Sequence, residues 1–286
     1  MSFIRPLRSV LYIPCSNARA VDKARGLPAD ALIFDLEDAV SIEEKETARE
    51  ILSEALAVGG YGSRFLIVRI NAIDTEWGID DAKAARRMGA GAILLPKVSS
   101  YDDLSELSEL TIDTPIWAMM ETPLGMLNAG QIATHPLLQA MVMGTNDLNK
   151  ELQGRSRVDR LPMVTGLGLC LLAAKAHKIA IIDGVYNAFK DEEGLSLECE
   201  QGRDMGFDGK TVIHPAQLAI ANAIFSPSDE DLELAHRQIR AFEEVEANGK
   251  SIAVVDGRIV ESLHIVTARD TLEKAKAITA LAEEMI

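Results

Sequence analysis

ALIFDLEDAVSIEEKETAREILSEALAVGGYGSRFLIVR, from Ala31 to Arg69, holds two short apolar runs separated by one long polar-apolar stretch. The runs, Ala31–Asp35 and Phe65–Arg69, are apolar throughout, as expected of strands covered on both faces. Ile42–Val58 between them reads as a helix, so the stretch predicts a strand–helix–strand unit with a parallel sheet. Comparable runs recur at Val10–Pro14, Ala92–Pro96, Ile116–Glu121, Met141–Gly144, Ile179–Asp183 and Thr211–His214, and Asp80–Met88 is a second clear helix. Eight such units predict an α/β fold of the closed (β/α)8 TIM-barrel type rather than an open doubly wound sheet.

The pattern stops near Phe225. Ser226-Pro227-Ser228-Asp229 is a turn and helix-cap signal, and a charged helix is expected to about Asn248. Asp256-Gly257 lies between two apolar runs within Ser251–Val260, a hairpin signal, and a last helix is expected over Ser262–Glu284. The expected division is a barrel catalytic domain over residues 1–225 and a helical/hairpin lid segment over residues 226–286. The tail is expected to pack on its own barrel or to cover a neighbour's. A chain of 286 residues suits one barrel of about 250 residues as well as two domains.

Composition narrows the function. Lys and Arg number 29 against 44 Asp and Glu, a net charge of −15, which argues against nucleic acid and anionic membranes as partners. Aromatic residues are 5%, too few for a base-stacking platform. Cys15, Cys170 and Cys199 are far apart, with no paired spacing to suggest a disulfide framework or structural zinc. No secretory or membrane-spanning stretch is read, so a cytoplasmic location is expected.

In a barrel, chemistry sits where strands end at their carboxyl side. Those positions hold Asp35, Glu37, Asp38, Arg69, Lys97, Glu121, Asp147, Asp183 and His214. Six carboxylates with few histidines point to a hard, oxygen-liganded cation, Mg2+ or Mn2+, rather than zinc. Glu121 and Asp147, on adjacent strands, suit the ligand role, although any one carboxylate could simply cap the helix after it. Arg69 ends an apolar run, where a guanidinium needs an anion. A substrate oxygen could supply that anion, and so could a permanent pair with Asp35 or Glu37.

Arg5, Arg8, Arg19, Lys23 and Arg25 face a single acid, Asp22, in residues 1–29. That local excess could hold phosphates or be solvated helix charge. Gly166-Leu167-Gly168 lacks the third glycine and preceding strand of a dinucleotide fingerprint. His135, His177, His236 and His264 lack metal spacing, and no nucleophile elbow is present.

RSVLYIP (Arg8–Pro14), FDLEDAV (Phe34–Val40) with Lys45 and Arg49, VRIN (Val68–Asn71), LPKV (Leu95–Val98), METPLGMLNA (Met120–Ala129), MGTNDL (Met143–Leu148) and GKTVIHPAQ (Gly209–Gln217) carry a resemblance across nearly the whole chain. Together they resemble the citrate lyase β-subunit-like family of the HpcH/HpaI aldolase superfamily, at its malyl-CoA lyase and thioesterase end. The resemblance implies a Mg2+-dependent barrel enzyme acting on a short hydroxyacyl-CoA, with CoA as part of the substrate. Glu121 and Asp147 would hold the metal, and Glu121 would also lie against the substrate. Arg69 would anchor the substrate, and Glu37 and Asp38 would be the catalytic acidic pair beside the metal-bound waters. Arg8, Arg19 and Lys23 would face CoA. A homotrimer or hexamer, with the C-terminal segment reaching a neighbouring site, is also implied.

Two departures stand out. Aligning through Asp256–Val260 puts Glu261 where the family's lyases carry a proton-transferring aspartate, one methylene shorter. Cys15 stands where many relatives have glycine. The expected reaction is hydrolysis of (3S)-malyl-CoA to malate and CoA, with malyl-, citramalyl- or citryl-CoA lysis as the alternative. A non-catalytic CoA-thioester sensor, or a subunit working with an acyl carrier protein, is the alternative of another class.

Overall fold

The computed structural model describes residues 5–249 and 251–284. Eight parallel strands pair in sequence order and close into a barrel: β1 Ser9–Pro14, β2 Ala31–Asp35, β3 Phe65–Arg69, β4 Ala92–Leu95, β5 Ile116–Met120, β6 Leu138–Met143, β7 Ala180–Asp183 and β8 Gly209–Val212. Closure runs through β1 and β8, where Ser9, Val10 and Leu11 face Lys210, Thr211 and Val212. The first helices are α1 Ala18–Lys23, α2 Lys45–Val58, α3 Gly78–Arg87 and α4 Tyr101–Thr111. They are followed by α5 Pro123–Ile132, α6 Thr145–Glu151, α7 Val164–His177, α8 Glu192–Met205 and α9 Leu218–Ile224. The expected barrel is present, and the weak glycine pair at Gly166 and Gly168 lies inside α7.

Strand side chains alternate between the two faces, and that parity builds two apolar layers. Val10, Ile33, Ile67, Trp117, Met119 and Val142 fill the barrel interior. Leu11, Leu32, Phe34, Val68, Met120 and Ile181 pack outward beneath the helices. Continuing the inward parity by one step reaches Tyr12, Asp35, Arg69 and Glu121 at the carboxyl rim. The outward parity reaches Asp183 on β7 and Lys210 on β8. Both are fully buried.

Beyond the barrel come α10 Asp229–Glu246, the antiparallel pair β9 Ala253–Val255 and β10 Arg258–Val260, and α11 Ser262–Glu284. Phe242, Ala253, Val260 and Ile265 form a small apolar cluster of their own. This segment is joined to the amino-terminal ends of the strands. Arg8, just before β1, bonds Ser226, and Arg203, in the last turn of α8, pairs with Asp231 at 2.7 Å. A 690 Å³ cleft between barrel and segment is lined by Arg203, Phe207, Ser226, His264 and Lys274 among others. No helix among the described residues is long and apolar enough to cross a membrane.

Candidate active site

The carboxyl rim encloses a 390 Å³ pocket whose polar lining includes Tyr12, Asp35, Asp38, Arg69, Glu121 and Asp147. Asp35 and Arg69 are there because β2 and β3 pair in register, each residue facing the other. The guanidinium grips Asp35 with two bonds, Nε to Oδ1 at 2.7 Å and Nη2 to Oδ2 at 2.5 Å. Its remaining nitrogen lies 2.8 Å from Glu37 Oε2 and 3.6 Å from Asp38, and its carbon stands 4.9 Å from the Tyr12 ring centre. Arg69 thus pairs with both Asp35 and Glu37 and also lines the pocket. Asp35 also caps the next turn, accepting from the Glu37 and Ala39 amides.

Two buried groups set the loop after β2. Lys45 Nζ donates to the Leu36 and Glu37 carbonyls at 2.9 and 2.7 Å. Asn71 donates to Leu36 O and to Asp81, which in turn takes Arg49. Glu37 is thereby held against Arg69, while Asp38 is mostly exposed. Burial pushes the Glu37 carboxyl up to about 7; Arg69 opposes this, and Asp38 and Asp35 reinforce it.

Glu121 follows β5 and is 2% exposed. Its Oε1 accepts the Lys97 amide at 2.8 Å, and Lys97 adopts a left-handed backbone (φ 55°) to present it. Among the described residues Glu121 has no salt-bridge partner. Burial pushes its carboxyl up to about 7. The Lys97 amide pulls it back, and Glu37 and Asp147 push it further. Gly144 leaves the room Glu121 needs: a Cβ there would collide with Glu121 Cβ and Oε2 and lie 3.2 Å from its Cδ. Asp147, half-buried in the first turn of α6, lines the same pocket.

Glu121 and Asp147 therefore fit a divalent cation. They are two carboxylates directed at one pocket, and the more buried one makes no salt bridge among the described residues, with Arg69 the nearby positive charge. No group of three or more His, Cys, Asp or Glu side chains is gathered for a metal among the described residues. That suits Mg2+, which takes one or two protein carboxylates and keeps water and substrate oxygens.

Arg19 and Lys23, on α1 directly after β1, are exposed and make no salt bridge among the described residues. Arg25 is occupied by Asp22 and the Gly59 carbonyl. One sequence expectation is corrected, that of Arg8, while Glu261 is expected to reach a neighbouring copy. Arg8 precedes β1, so it stands at the opposite end of the barrel, paired with buried Asp30 at 2.7 Å. Glu261 belongs to the C-terminal segment beside that same far end, where its amide bonds His264. Within one chain neither reaches the pocket. Asp183 and His214 are also absent from it: Asp183 points outward, and His214 caps a short helical turn at Pro215–Gln217. Tyr12, the Lys97 amide and Gly144 were not singled out from sequence; strand parity alone could have found Tyr12.

Comparison with known proteins agrees with this architecture. The HpcH/HpaI aldolase/citrate lyase family matches residues 8–215, and a C–C bond lyase family of the TIM-barrel fold matches residues 163–279. A (3S)-malyl-CoA thioesterase of Cereibacter sphaeroides is 66% identical over 275 residues, 96% of each chain. Citrate lyase subunit beta of Escherichia coli is 32% identical, covering 98% of this chain and 96% of its own. The crystal structure of CitE from Mycobacterium tuberculosis, in complex with magnesium, acetoacetate and coenzyme A, superposes with a TM-score of 0.78 at 28% identity, covering 94% and 97% of the two chains. The chain belongs to the HpcH/HpaI aldolase/citrate lyase family.

Proposed function

We infer that the protein is a Mg2+-dependent enzyme of CoA-thioester metabolism that hydrolyses (3S)-malyl-CoA to malate and CoA in the cytoplasm. One observation carries the reading. A chain 66% identical to a (3S)-malyl-CoA thioesterase over 96% of its length presents a buried carboxylate, without a salt bridge among the described residues, beside a second one in the barrel mouth.

Glu121 and Asp147 would hold the cation. When bound, Mg2+ supplies charge neutralisation and Lewis-acid polarisation of substrate oxygens. Arg69, fixed by Asp35, presents positive charge to the oxygen that gains electron density in the reaction. Glu37, with its carboxyl near neutrality, is suited to take a proton from the attacking water. Water oxygen then bonds the thioester carbon, the carbon–sulfur bond breaks, and the proton passes to the departing CoA thiolate. Asp38 adds negative charge at the mouth, and Arg19 and Lys23 lie on the rim helix where phosphates of CoA could be bound.

A role for Glu261 requires it to come from a second copy, since its own pocket is at the other end of the barrel. The exposed apolar side chains Ile252, Val254, Ile259, Leu263 and Val266 support such contact between copies in a homotrimer or hexamer. The division into a barrel over residues 1–225 and an appended segment over 226–286 fits the separate small apolar cluster. Lysis to glyoxylate and acetyl-CoA is the second reading, favoured by the 32% identity to citrate lyase subunit beta. Purified protein with (3S)-malyl-CoA and Mg2+ separates them. Malate with free CoA is expected; acetyl-CoA with glyoxylate would select the lyase, and bound but unreacted substrate would select a sensor.

A further inference from the structure

Asp183 ends β7 but turns its carboxylate away from the pocket, into a buried cluster of four charges. Arg160 Nη1 lies 2.7 and 2.9 Å from its two oxygens, and Lys210 Nζ lies 3.0 Å from Oδ2 and 2.7 Å from Glu198 Oε1. Arg160 Nε donates to Gln201 at 2.8 Å. Such a cluster is a weak source of stability, because apolar residues of similar volume often serve as well. Its geometry fixes something more specific.

Three contacts link Asp183 and the loop after it to α6, the seven-residue helix that carries Asp147, and to the connection that follows that helix. First, Asp183 Oδ1 accepts the Gly184 amide at 2.9 Å, and Gly184 presses on Thr145 so closely that a Cβ there would lie 2.5 Å from Oγ1 and 2.6 Å from Cγ2. Second, Asn187, in the loop after Gly184, exchanges amide hydrogen bonds with Asn146 at 2.7 and 3.3 Å. Third, Arg160 lies in the connection between α6 and α7, close before α7, and its guanidinium ties that connection to Asp183. The start of α6 and the connection that follows it thus refer to one carboxylate.

We propose that Arg160 is a positioning residue for Asp147, acting through Asp183 and Gly184 to set where the Asp147 carboxylate meets the cation. The proposal rests on the reading of Asp147 as a cation ligand. Arg160 does not touch the reacting atoms; its effect is on the ligand's geometry.

Mn2+ affinity by electron paramagnetic resonance, CoA affinity by calorimetry and the Tm are measured for the parent, Arg160→Met, Arg160→Lys and Gly184→Ala. Arg160→Met is expected to weaken Mn2+ binding about tenfold or more with CoA affinity kept. Arg160→Lys retains the charge but cannot bond Asp183 and Gln201 together, and should fall between. Gly184→Ala leaves the cluster intact but pushes on Thr145, and should weaken Mn2+ as well. Where Arg160→Met does not fold, the other two variants decide. Parental Mn2+ affinity in the folded variants, or an equal loss of Mn2+ and CoA binding, overturns the proposal. A parent that binds no Mn2+ overturns instead the ligand reading beneath it.

Discussion

Gly144→Ala tests the cation pair with a single methyl group. Gly144 has φ −93°, which any residue can adopt, so the change strains no backbone. The added carbon falls on Glu121 Cβ and Oε2. Glu121 cannot yield freely, because Oε1 is tied to the Lys97 amide at 2.8 Å. The carboxylate must swing by about 1 Å, a displacement of the kind that costs about 100-fold in turnover. Misorienting a metal ligand through its surroundings typically weakens the metal by about 10–100-fold, or roughly 1.4–2.7 kcal/mol. Overpacking adds about 1–3 kcal/mol of lost stability, so Tm should fall while the fold persists. Mn2+ titration and release of CoA thiol are the assays. Glu121→Gln, which adds no volume, should reproduce the loss. Mn2+ affinity and CoA release within about twofold of the parent in both variants would refute the role of Glu121.

Four further outcomes follow from the same geometry. Arg8→Gln strips the partner from fully buried Asp30 and should cost about 3–5 kcal/mol of stability, seen in urea unfolding, with CoA affinity unchanged; weakened CoA binding would return Arg8 to the site. Arg19→Ala with Lys23→Ala should raise the KM for the CoA thioester at constant Tm, and an unchanged KM would remove α1 from the CoA site. Glu121 and Glu37 hold protons more tightly folded than unfolded, with values near 7. Their contribution to the stability of the cation-free protein is therefore fully present below the ordinary carboxylate range and is lost as pH rises through about 7. Mg2+ displaces those protons, so it should raise Tm more at pH ~8 than at pH ~6; equal gains would contradict this. Lastly, mixing Asp147→Ala with Glu261→Gln protein should restore turnover if the two residues meet across copies, and no recovery after subunit exchange would place Glu261 outside the reaction.

The strands were legible because a barrel strand is apolar on both faces, a pattern that needs no tertiary knowledge. Their limits slipped where a polar residue interrupted the run. Exposed Gln139 hid the start of β6, and buried Lys210, counter-charged by Asp183 and Glu198, was not read as part of β8. At the rim, sequence located the right strand ends but not their facing. Parity directs Asp35, Arg69 and Glu121 inward and Asp183 outward, and one residue of register decides between them. The Arg69 pair depends on the β2–β3 register, which no local motif encodes. Arg8 was misread for a related reason: a basic cluster continuous in sequence is divided by β1 between the two ends of the barrel. Glu261 was placed by resemblance, while its position within the chain depends on how α10 and α11 pack beside the amino-terminal ends of the strands.

The central claim is hydrolysis at a cation held by Glu121 and Asp147. Product analysis of (3S)-malyl-CoA turnover with Mg2+, and again with a chelator, tests it most directly. Malate and free CoA in equal amounts, lost with the chelator and in Asp147→Ala, are predicted. Acetyl-CoA and glyoxylate as products, or undiminished turnover in Asp147→Ala, would contradict it.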